Sequence, residues 1–492
     1  MDLGFLRPTG DIVTLLDLSP RDIQDSEYTP LSAEKTWWLP DQNRRIRPFS
    51  LSVQQFPFRG PTAFGQRFTF DIGSVKCGDL LTGAFIQIDL GHWLDPTTIL
   101  RLQSGRYIYA AGQTPWAYAN SLGTVIIQSI EFEVNEQTLE RVDGDFLNTA
   151  LHLFPDVNRQ YGLATDCLGA RSLDYIPPPT SPFPTQSGTL LIPLTLFFQR
   201  TPLAEAFPLL ACADGSVRIH ITLRPFADCI RRLAVAPATN GNSVTADPAS
   251  ATATSPLNTT FLFTDKTIDN KPTVPVQTSI AIPSFKGIKL ITYGAHTDGK
   301  LRSSLLRQPF ELMTRIVQTF AFDEPLKYTT NHSVDSIQVQ LPLEVNGPME
   351  EIIWFVRRKD VNLAKEWTNY GGVLAGAVDT TYNPQIPLLQ SATLQFNGVD
   401  IVTAEESWFR RYISSAHKGG IASFTNYIYG YSFSKSPGEH QPSGTANASR
   451  LQSVRLTLDV TAAAGAWEVK VFVLALDWIR FQDGIVNRMF RD

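Results

Sequence analysis

From about Leu51 onward the chain alternates apolar and polar residues with a period of two, the mark of strands that bury one face. Ser52–Phe56, Arg67–Ile72 and Ala84–Leu90 set the pattern, and Val125–Val134, Thr189–Phe198, Ser216–Leu223 and Phe285–Tyr293 continue it. Helical periodicity is nearly absent. Asp143–Leu153 and Ala404–Ser415 are the two short amphipathic stretches that read as helices. Many short strands joined by turn-rich links predict an all-β chain built as a β-sandwich.

Two segments stand outside this pattern. Residues 1–47 are broken by Pro8, Pro20, Pro30 and Pro40 and end in a basic knot, Arg44-Arg45-Ile46-Arg47, so they read as an arm. Between Leu233 and Asn258 the composition collapses to Ala, Thr, Ser, Asn and Pro, which buries too little apolar surface to offset its ordering entropy. That stretch reads as part of an exposed insertion over about 230–284. It lies inside a domain, because Phe285–Tyr293 returns to the first sandwich after it.

The chain also repeats itself. Ser129–Leu147 lies over Ser391–Phe409 without a gap, 262 positions later. Phe132 meets Leu394, Asn135 meets Asn397, Leu139 meets Ile401, and Phe146-Leu147 meets Trp408-Phe409. Both copies read strand, Asn turn, short strand, acidic helix start; Asn suits the turn because it tolerates positive φ. Phe68–Leu90 matches Ile337–Arg357, Leu190–Phe198 matches Tyr427–Phe433, Val217–Ile221 matches Val454–Leu458, and Phe285–Tyr293 matches Trp467–Leu476, all in order. The expectation is two roughly eight-stranded sandwiches in tandem, 48–296 and 297–492, the second ending in a short C-terminal tail.

Composition narrows the function. At 492 residues the chain has room for large cores without staples, and its four cysteines (Cys77, Cys167, Cys212, Cys229) are too sparse for a disulfide framework and too scattered for a CxxC site. They read as buried free thiols. A net charge of −5 argues against a nucleic-acid coat. Met1-Asp2-Leu3-Gly4 lacks a basic leader and no run of 18 apolar residues occurs, so the reading is a soluble chain made in the cytosol.

Candidate chemistry is thin. Gly294–Lys300 fits GxxxxGK, but Leu301 stands where a Ser or Thr would reach Mg²⁺, and a polar turn between sandwiches explains it. The seven histidines (His92, His152, His220, His296, His332, His417, His440) are isolated, with no HxH or HExxH. Glu405-Glu406 and Asp143/Asp145 are the carboxylate clusters a glycosidase would need, yet each opens a predicted helix, where negative charge is favoured. Trp37-Trp38 and Trp116 suit sugar stacking less well than packing. Of the sequons at Asn258, Asn331 and Asn447, only Asn258 falls in the predicted exposed loop, as a weak glycosylation candidate. The expectation is no catalytic, metal or cofactor site.

One run carries a resemblance. Glu439-His440-Gln441-Pro442-Ser443-Gly444-Thr445-Ala446-Asn447-Ala448-Ser449-Arg450 follows an aromatic strand (Tyr427–Phe433) and precedes Val454–Val460. It resembles the E-x-x-P-S-G-[ST]-x-N-x-S-R run of major capsid proteins of large eukaryotic double-stranded DNA viruses, the iridoviruses, phycodnaviruses and relatives. Asn120–Gly123 with Gly144–Asn148, Thr201–Ala211 and Met349–Trp354 are similar to further ordered segments of that family. Two departures stand out: Trp37–Arg47 replaces the family's usual opening, and Thr297–Arg302 replaces its acidic run after the first roll.

The resemblance implies two tandem antiparallel jelly rolls, no enzymatic activity, and a structural role in an icosahedral shell. It marks Glu439, Pro442, Ser443, Gly444, Asn447, Ser449 and Arg450 as a structural motif. The implied partners are copies of the chain itself (a homotrimer and neighbouring capsomers), minor capsid proteins, and an internal viral membrane, with no direct nucleic-acid contact. The implied place is the virion, after synthesis and assembly in the host cytoplasm. A double jelly-roll scaffold, a penton or minor capsid protein and, more remotely, a glycan-binding β-sandwich are the alternatives.

Overall fold

In a computed structural model the chain is described over residues 48–91, 107–109, 116–119, 121–155, 162–163, 188–200, 206–212, 216–232, 234–235, 244–245, 260–266, 272–279, 285–333, 335–359, 365–371, 387–417, 427–439, 441–461 and 467–489. Eight strands make the first roll: β1 (Phe49–Pro57), β2 (Arg67–Ile72), β3 (Leu80–Asp89), β4 (Ile127–Val134), β5 (Gln137–Asp143), β6 (Thr189–Pro193), β7 (Val217–Leu223) and β8 (Gly287–Thr297). They form two four-stranded antiparallel sheets in the orders β1-β8-β3-β6 and β2-β7-β4-β5.

The second roll repeats this layout with β9 (Phe310–Phe322), β10 (Ser336–Leu343), β11 (Pro348–Arg358), β12 (Leu389–Phe396), β13 (Val399–Glu405), β14 (Ile428–Ser432), β15 (Val454–Thr461) and β16 (Trp467–Gln482). Its sheets run β9-β16-β11-β14 and β10-β15-β12-β13, the same orders eight strands on. Three short strands are added at the margins: Thr329–His332 on β10, Ala446–Asn447 on β11 and Ile485–Arg488 on β16. The helices longer than one turn among the described residues sit in connections: α1 (Gly144–Leu153), α2 (Gly299–Arg307) and α3 (Glu406–Ala416).

The alternation read from sequence becomes the two cores. In β2 the pattern is strictly exposed–buried, with Phe68, Phe70 and Ile72 turned in. Phe132 and Ile219 from one sheet and Ile86 and Leu290 from the other are fully buried in roll 1; Val339, Leu456, Trp354 and Val471 play the same part in roll 2. Burial of side chains this size supplies roughly 1.5–3 kcal/mol each and dominates the stability of the rolls.

The repeat holds down to the register. Ser129, Ile130 and Phe132 pair with Asp143, Val142 and Glu140, and the ladder slips after Phe132. Ser391, Ala392 and Leu394 pair with Glu405, Ala404 and Val402, and the ladder slips after Leu394. Asn135 and Asn397 both take φ 52° in the turn. Each donates its backbone N–H to the serine before the neighbouring strand, Asn135 to Ser216 O at 2.9 Å and Asn397 to Ser453 O at 3.0 Å.

Some elements differ from the sequence reading. The Thr189–Phe198 stretch stops being a strand at Pro193, which has no N–H for a ladder, and turns through Thr195 at φ 45°. Phe197 and Phe198 stay apolar because they pack on Phe132, at 5.8 and 5.5 Å between ring centres. Val125 closes a one-turn helix (Leu122–Val125), so β4 starts two residues later. The region 230–284 contains strands that its composition hid: Ile230–Arg232 pairs with Trp116–Tyr118, Ala234–Val235 with Val244–Thr245, and Thr260–Lys266 with both Pro272–Ser279 and Tyr107–Tyr109.

Gly294, first glycine of the GxxxxGK match, lies within β8, where a Cβ would fall 1.7 Å from the Cys77 carbonyl oxygen. Close backbone approach fixes it as glycine, and Asp298 caps α2 by accepting from Leu301 N at 3.2 Å. The residues Phe49–Asp492 cluster as one compact unit; Met1–Pro48 form another, which up to Arg47 lies outside the described residues.

Candidate functional site

The polar chemistry of the molecule concentrates where the rolls meet. Asp143 ends β5 and caps α1, its Oδ1 accepting from Phe146 N at 2.8 Å. This cap aims α1 at the outward face of β11 and β16. There Arg357 donates from Nη1 and Nη2 to the two oxygens of Asp145, at 2.8 and 3.3 Å, and from Nε to Glu468 at 2.6 Å. Lys470 Nζ reaches Asp143 at 2.8 Å and also bonds Asp145. Phe146 packs edge-on against Phe472, 5.3 Å between ring centres, and Asn148 Nδ2 donates to the Tyr370 hydroxyl at 3.1 Å.

Burial opposes the charge on Asp145, but Arg357 and Lys470 outweigh it and hold the carboxyl well below the usual carboxylate range. Desolvation likewise works against the Arg357 cation, and the Asp145 and Glu468 charges reverse it, raising its pKa. Lys470 is raised in the same way, its burial overridden by Asp145 and Asp143. Each acid of this cluster faces a base within ion-pair distance, which is the condition for tolerating charge in a low dielectric.

A second cluster ties β9 to roll 1. Arg200 donates from Nη1 to Arg315 O at 2.7 Å and from Nε to Thr195 O at 3.0 Å, and its Nη2 bonds Glu140. Glu140 also accepts from Phe197 N at 2.9 Å and from Val317 N, across the seam, at 3.4 Å. The Arg200 guanidinium lies 4.9 Å from the centre of the Phe146 ring. Further along, Trp367 donates to Asp228 O at 2.9 Å, Lys365 pairs with Asp228 at 2.6 Å, and Arg224 lies over the Trp367 ring. His417 meets Glu351 at 2.8 Å and packs on Phe154. The seam is a buried joint rich in ion pairs and hydrogen bonds, whose chemistry is positional: it fixes one roll against the other.

Three of the four acids singled out from sequence have side-chain partners, and Glu405 holds a cap position without a side-chain cap bond. Asp143 and Asp145 belong to the seam, Glu406 bonds Arg410 at 2.7 Å one turn along α3, and Glu405 occupies the N-cap of that helix. Among the described residues no group of His, Cys, Asp and Glu has the arrangement of a metal site. Cys77, Cys212 and Cys229 are buried free thiols, and burial pushes the Cys212 thiol up to about 12. Trp37, Trp38, Asn258, His440 and Cys167 lie outside the described residues, as does the Trp116 side chain.

The Glu439–Arg450 run is a clasp between β14 and β15. Ser443 Oγ bonds Ser434 Oγ at 2.6 Å and accepts from Ser436 N at 2.9 Å, folding the loop on itself. A Cβ on Gly444 would fall 2.4 Å from Phe433 O, so the crossing of the two segments requires glycine. Asn447 caps the following turn by accepting from Ser449 N at 3.1 Å, while Ser449 Oγ accepts from Gly347 N at 2.9 Å. Arg315 donates to Glu439 O and pairs with Glu350 at 2.5 Å, so the clasp reaches the seam's margin. Pro442 is half-buried and Arg450 exposed. The basic half of the seam (Arg200, Arg315, Arg357, Lys470) carries no local signature; only the acids beside α1 were readable.

Two jelly rolls of one topology joined by a buried, ion-paired seam define the double jelly-roll class. A family profile described as "Large eukaryotic DNA virus major capsid protein" matches residues 309–478, and one described as "Major capsid protein N-terminus" matches 40–265. The major capsid protein of Paramecium bursaria Chlorella virus 1 is 25% identical over 437 residues, 84% of this chain and 80% of that one. That of Pyramimonas orientalis virus is 23% identical over 464 residues, 90% of each. Among solved structures, the quasi-atomic model of the PBCV-1 virus capsid superposes with a TM-score of 0.62 at 18% identity, covering 93% of this chain and 100% of that one. The Faustovirus major capsid protein gives 0.59 at 12% identity and 96% of each chain. The chain belongs to the family of major capsid proteins of large eukaryotic DNA viruses, and its function is that of a capsid protein.

Proposed function

We propose that the chain forms homotrimers, each a pseudo-hexagonal capsomer of an icosahedral shell. The observation that carries this is the twofold use of one strand order and register within one compact unit: three chains then present six similar lobes. A six-lobed block tiles a near-planar hexagonal lattice, and the buried seam supports lobes that hold their spacing under load. In this reading the rolls divide near residue 297, the arm over 1–47 faces inward towards minor capsid proteins or an internal membrane, and the segment around Asn258 faces outward, where a glycan would be accommodated. The role is structural and not catalytic, in keeping with acids that are consumed in ion pairs.

Light scattering on the purified chain tests the trimer. Three copies of a 54.7 kDa chain give a particle of about 164 kDa, and electron microscopy of concentrated samples should show hexagonal arrays. A chain that stays monomeric at all concentrations overturns the reading. Density for residue 258 on the inner side of an assembled shell overturns the outward placement alone.

A further inference from the structure

Each roll offers two packing faces. One is the helix face at the end of the fifth strand, β5–α1 in roll 1 and β13–α3 in roll 2. The other is the outward face of the sheet that begins β1-β8-β3 in roll 1 and β9-β16-β11 in roll 2. Within the chain, the helix face of roll 1 sits on the sheet face of roll 2: Phe146 on Phe472, Asp145 on Arg357 and Lys470, Glu140 on the Val317 N–H. That joint consumes one face of each roll and leaves the complementary face of each roll uncovered.

Both uncovered faces are apolar. Phe146 is 0% exposed, whereas Trp408, 262 positions on, is 40% exposed; Leu139 is 1% exposed and its counterpart Ile401 is 42% exposed. Trp408 is not loose: it stacks on Tyr412 at 4.8 Å and 9°, and Tyr412 donates its hydroxyl to Ser432 O at 3.0 Å. On roll 1, Phe49, Leu51 and Val53 alternate along β1 and share one face, each more than half exposed. Val53 stands opposite Tyr293 of β8, which is 39% exposed. This face points away from the core, since the alternate pair Phe56–Leu290 is the one turned inward. Exposed apolar patches held rigid in this way mark interaction surfaces.

We propose that the two faces meet between copies of the chain: α3 of one copy seats Trp408 and Ile401 on the β1–β8 face of a second copy, repeating the internal seam. The inference rests on the trimer reading and names its contact. Such a contact is heterologous, joining different patches, and makes a closed ring only if its rotation closes. Internal and external joints use equivalent pairs of faces, so each advances the ring by one roll, and six rolls are three chains. The two joints differ in chemistry. Ser407 stands where Asp145 stands, so the external joint lacks the buried ion pair and relies on apolar area with Trp408 as its anchor.

Full-length Trp408→Glu and Leu51→Glu variants, each altering an exposed residue, test the proposal by light scattering, with Leu326→Glu as a control at another exposed leucine. The expected result is monomers from the first two, with association weakened at least about tenfold, trimers from wild type and control, and unchanged circular dichroism in all. As a second readout, benzoylphenylalanine in place of Trp408 should photo-crosslink to 49–57 or 287–297 of another copy. Trimers from both glutamate variants, or crosslinks only to other segments, overturn this contact and leave the trimer standing. A monomeric wild-type chain overturns the trimer itself and the contact with it.

Discussion

The units β4–β5–α1 and β12–β13–α3 share register, turn geometry and the position of the helix start, and differ in what lies against the helix. In roll 1 nine of the ten helix residues are buried, from Gly144 to Leu151 and Leu153, with Asp145, Phe146 and Asn148 lying against roll 2. In roll 2 only Glu406, Phe409 and Ile413 are buried. One local sequence plan therefore yields one local fold in both places, and the surroundings decide which side chains become core. The lesson is that the roll is specified by its strands and turns, and the assembly by residues that leave the roll unchanged.

Truncating the matched aromatics breaks the comparison most sharply. Phe146→Ala removes a fully buried ring that touches Phe472 and lies beside Arg200, and should destabilise the chain by about 3–5 kcal/mol. Trp408→Ala removes only a partly exposed stack on Tyr412 and should cost about 1 kcal/mol in a dissociated chain. Urea unfolding at concentrations where the protein is monomeric measures both. Equal losses would mean that α3 is already covered within the chain.

The ion pairs of the seam sharpen the comparison through pH. The Asp145 carboxyl is depressed in the folded chain, so its stabilisation is complete above its unfolded pKa of about 4 and is lost as pH falls through the lower folded value. Wild type should lose on the order of 2 kcal/mol through this group during acidification below about pH 5. Asp145→Asn, weaker at pH 7 because Arg357 and Lys470 lose a partner, should show a shallower decline over the same range. Roll 2 has Ser407 at this place, so Ser407→Ala should leave the acid limb unchanged.

Much of this was legible in the sequence, for identifiable reasons. The period-two alternation of Arg67–Ile72 matches β2 to the residue, because one side of that sheet faces a core and the other does not. The repeat was visible because turn chemistry constrains residue type: Asn135 and Asn397 hold the same positive φ. The acids opening both helices were readable for the same local reason. What pairs with them was not. Arg357 is 212 residues from Asp145, and nothing near either residue announces a contact fixed only when two rolls dock. The strands at Thr260–Lys266 and Pro272–Ser279 were hidden by the low-complexity stretch before them, and Pro193 ended β6 inside an apolar run that continues for packing alone.

The smallest effect belongs to the turns, where the two copies differ in one detail. Asn397 Oδ1 accepts from Gln452 N at 2.8 Å and Ser453 N at 3.1 Å, fastening the turn to the segment before β15. Asn135 Oδ1 is buried and has no hydrogen-bond partner among the described residues. Glycine at either position accepts the left-handed backbone, so replacing each Asn isolates the side chain's contribution from the strain of the turn. Asn397→Gly should cost about 1 kcal/mol, since two backbone N–H groups lose their acceptor. Asn135→Gly should be near neutral, because the desolvated oxygen it removes has no partner among the described residues and the lost contact is offset by relief of that cost. Thermal unfolding of the two variants side by side reads the difference. A larger loss at 135 than at 397 would show that the first turn, and not the second, is fastened through its side chain, and that the two copies of the unit had diverged at the turn as well as at the helix face.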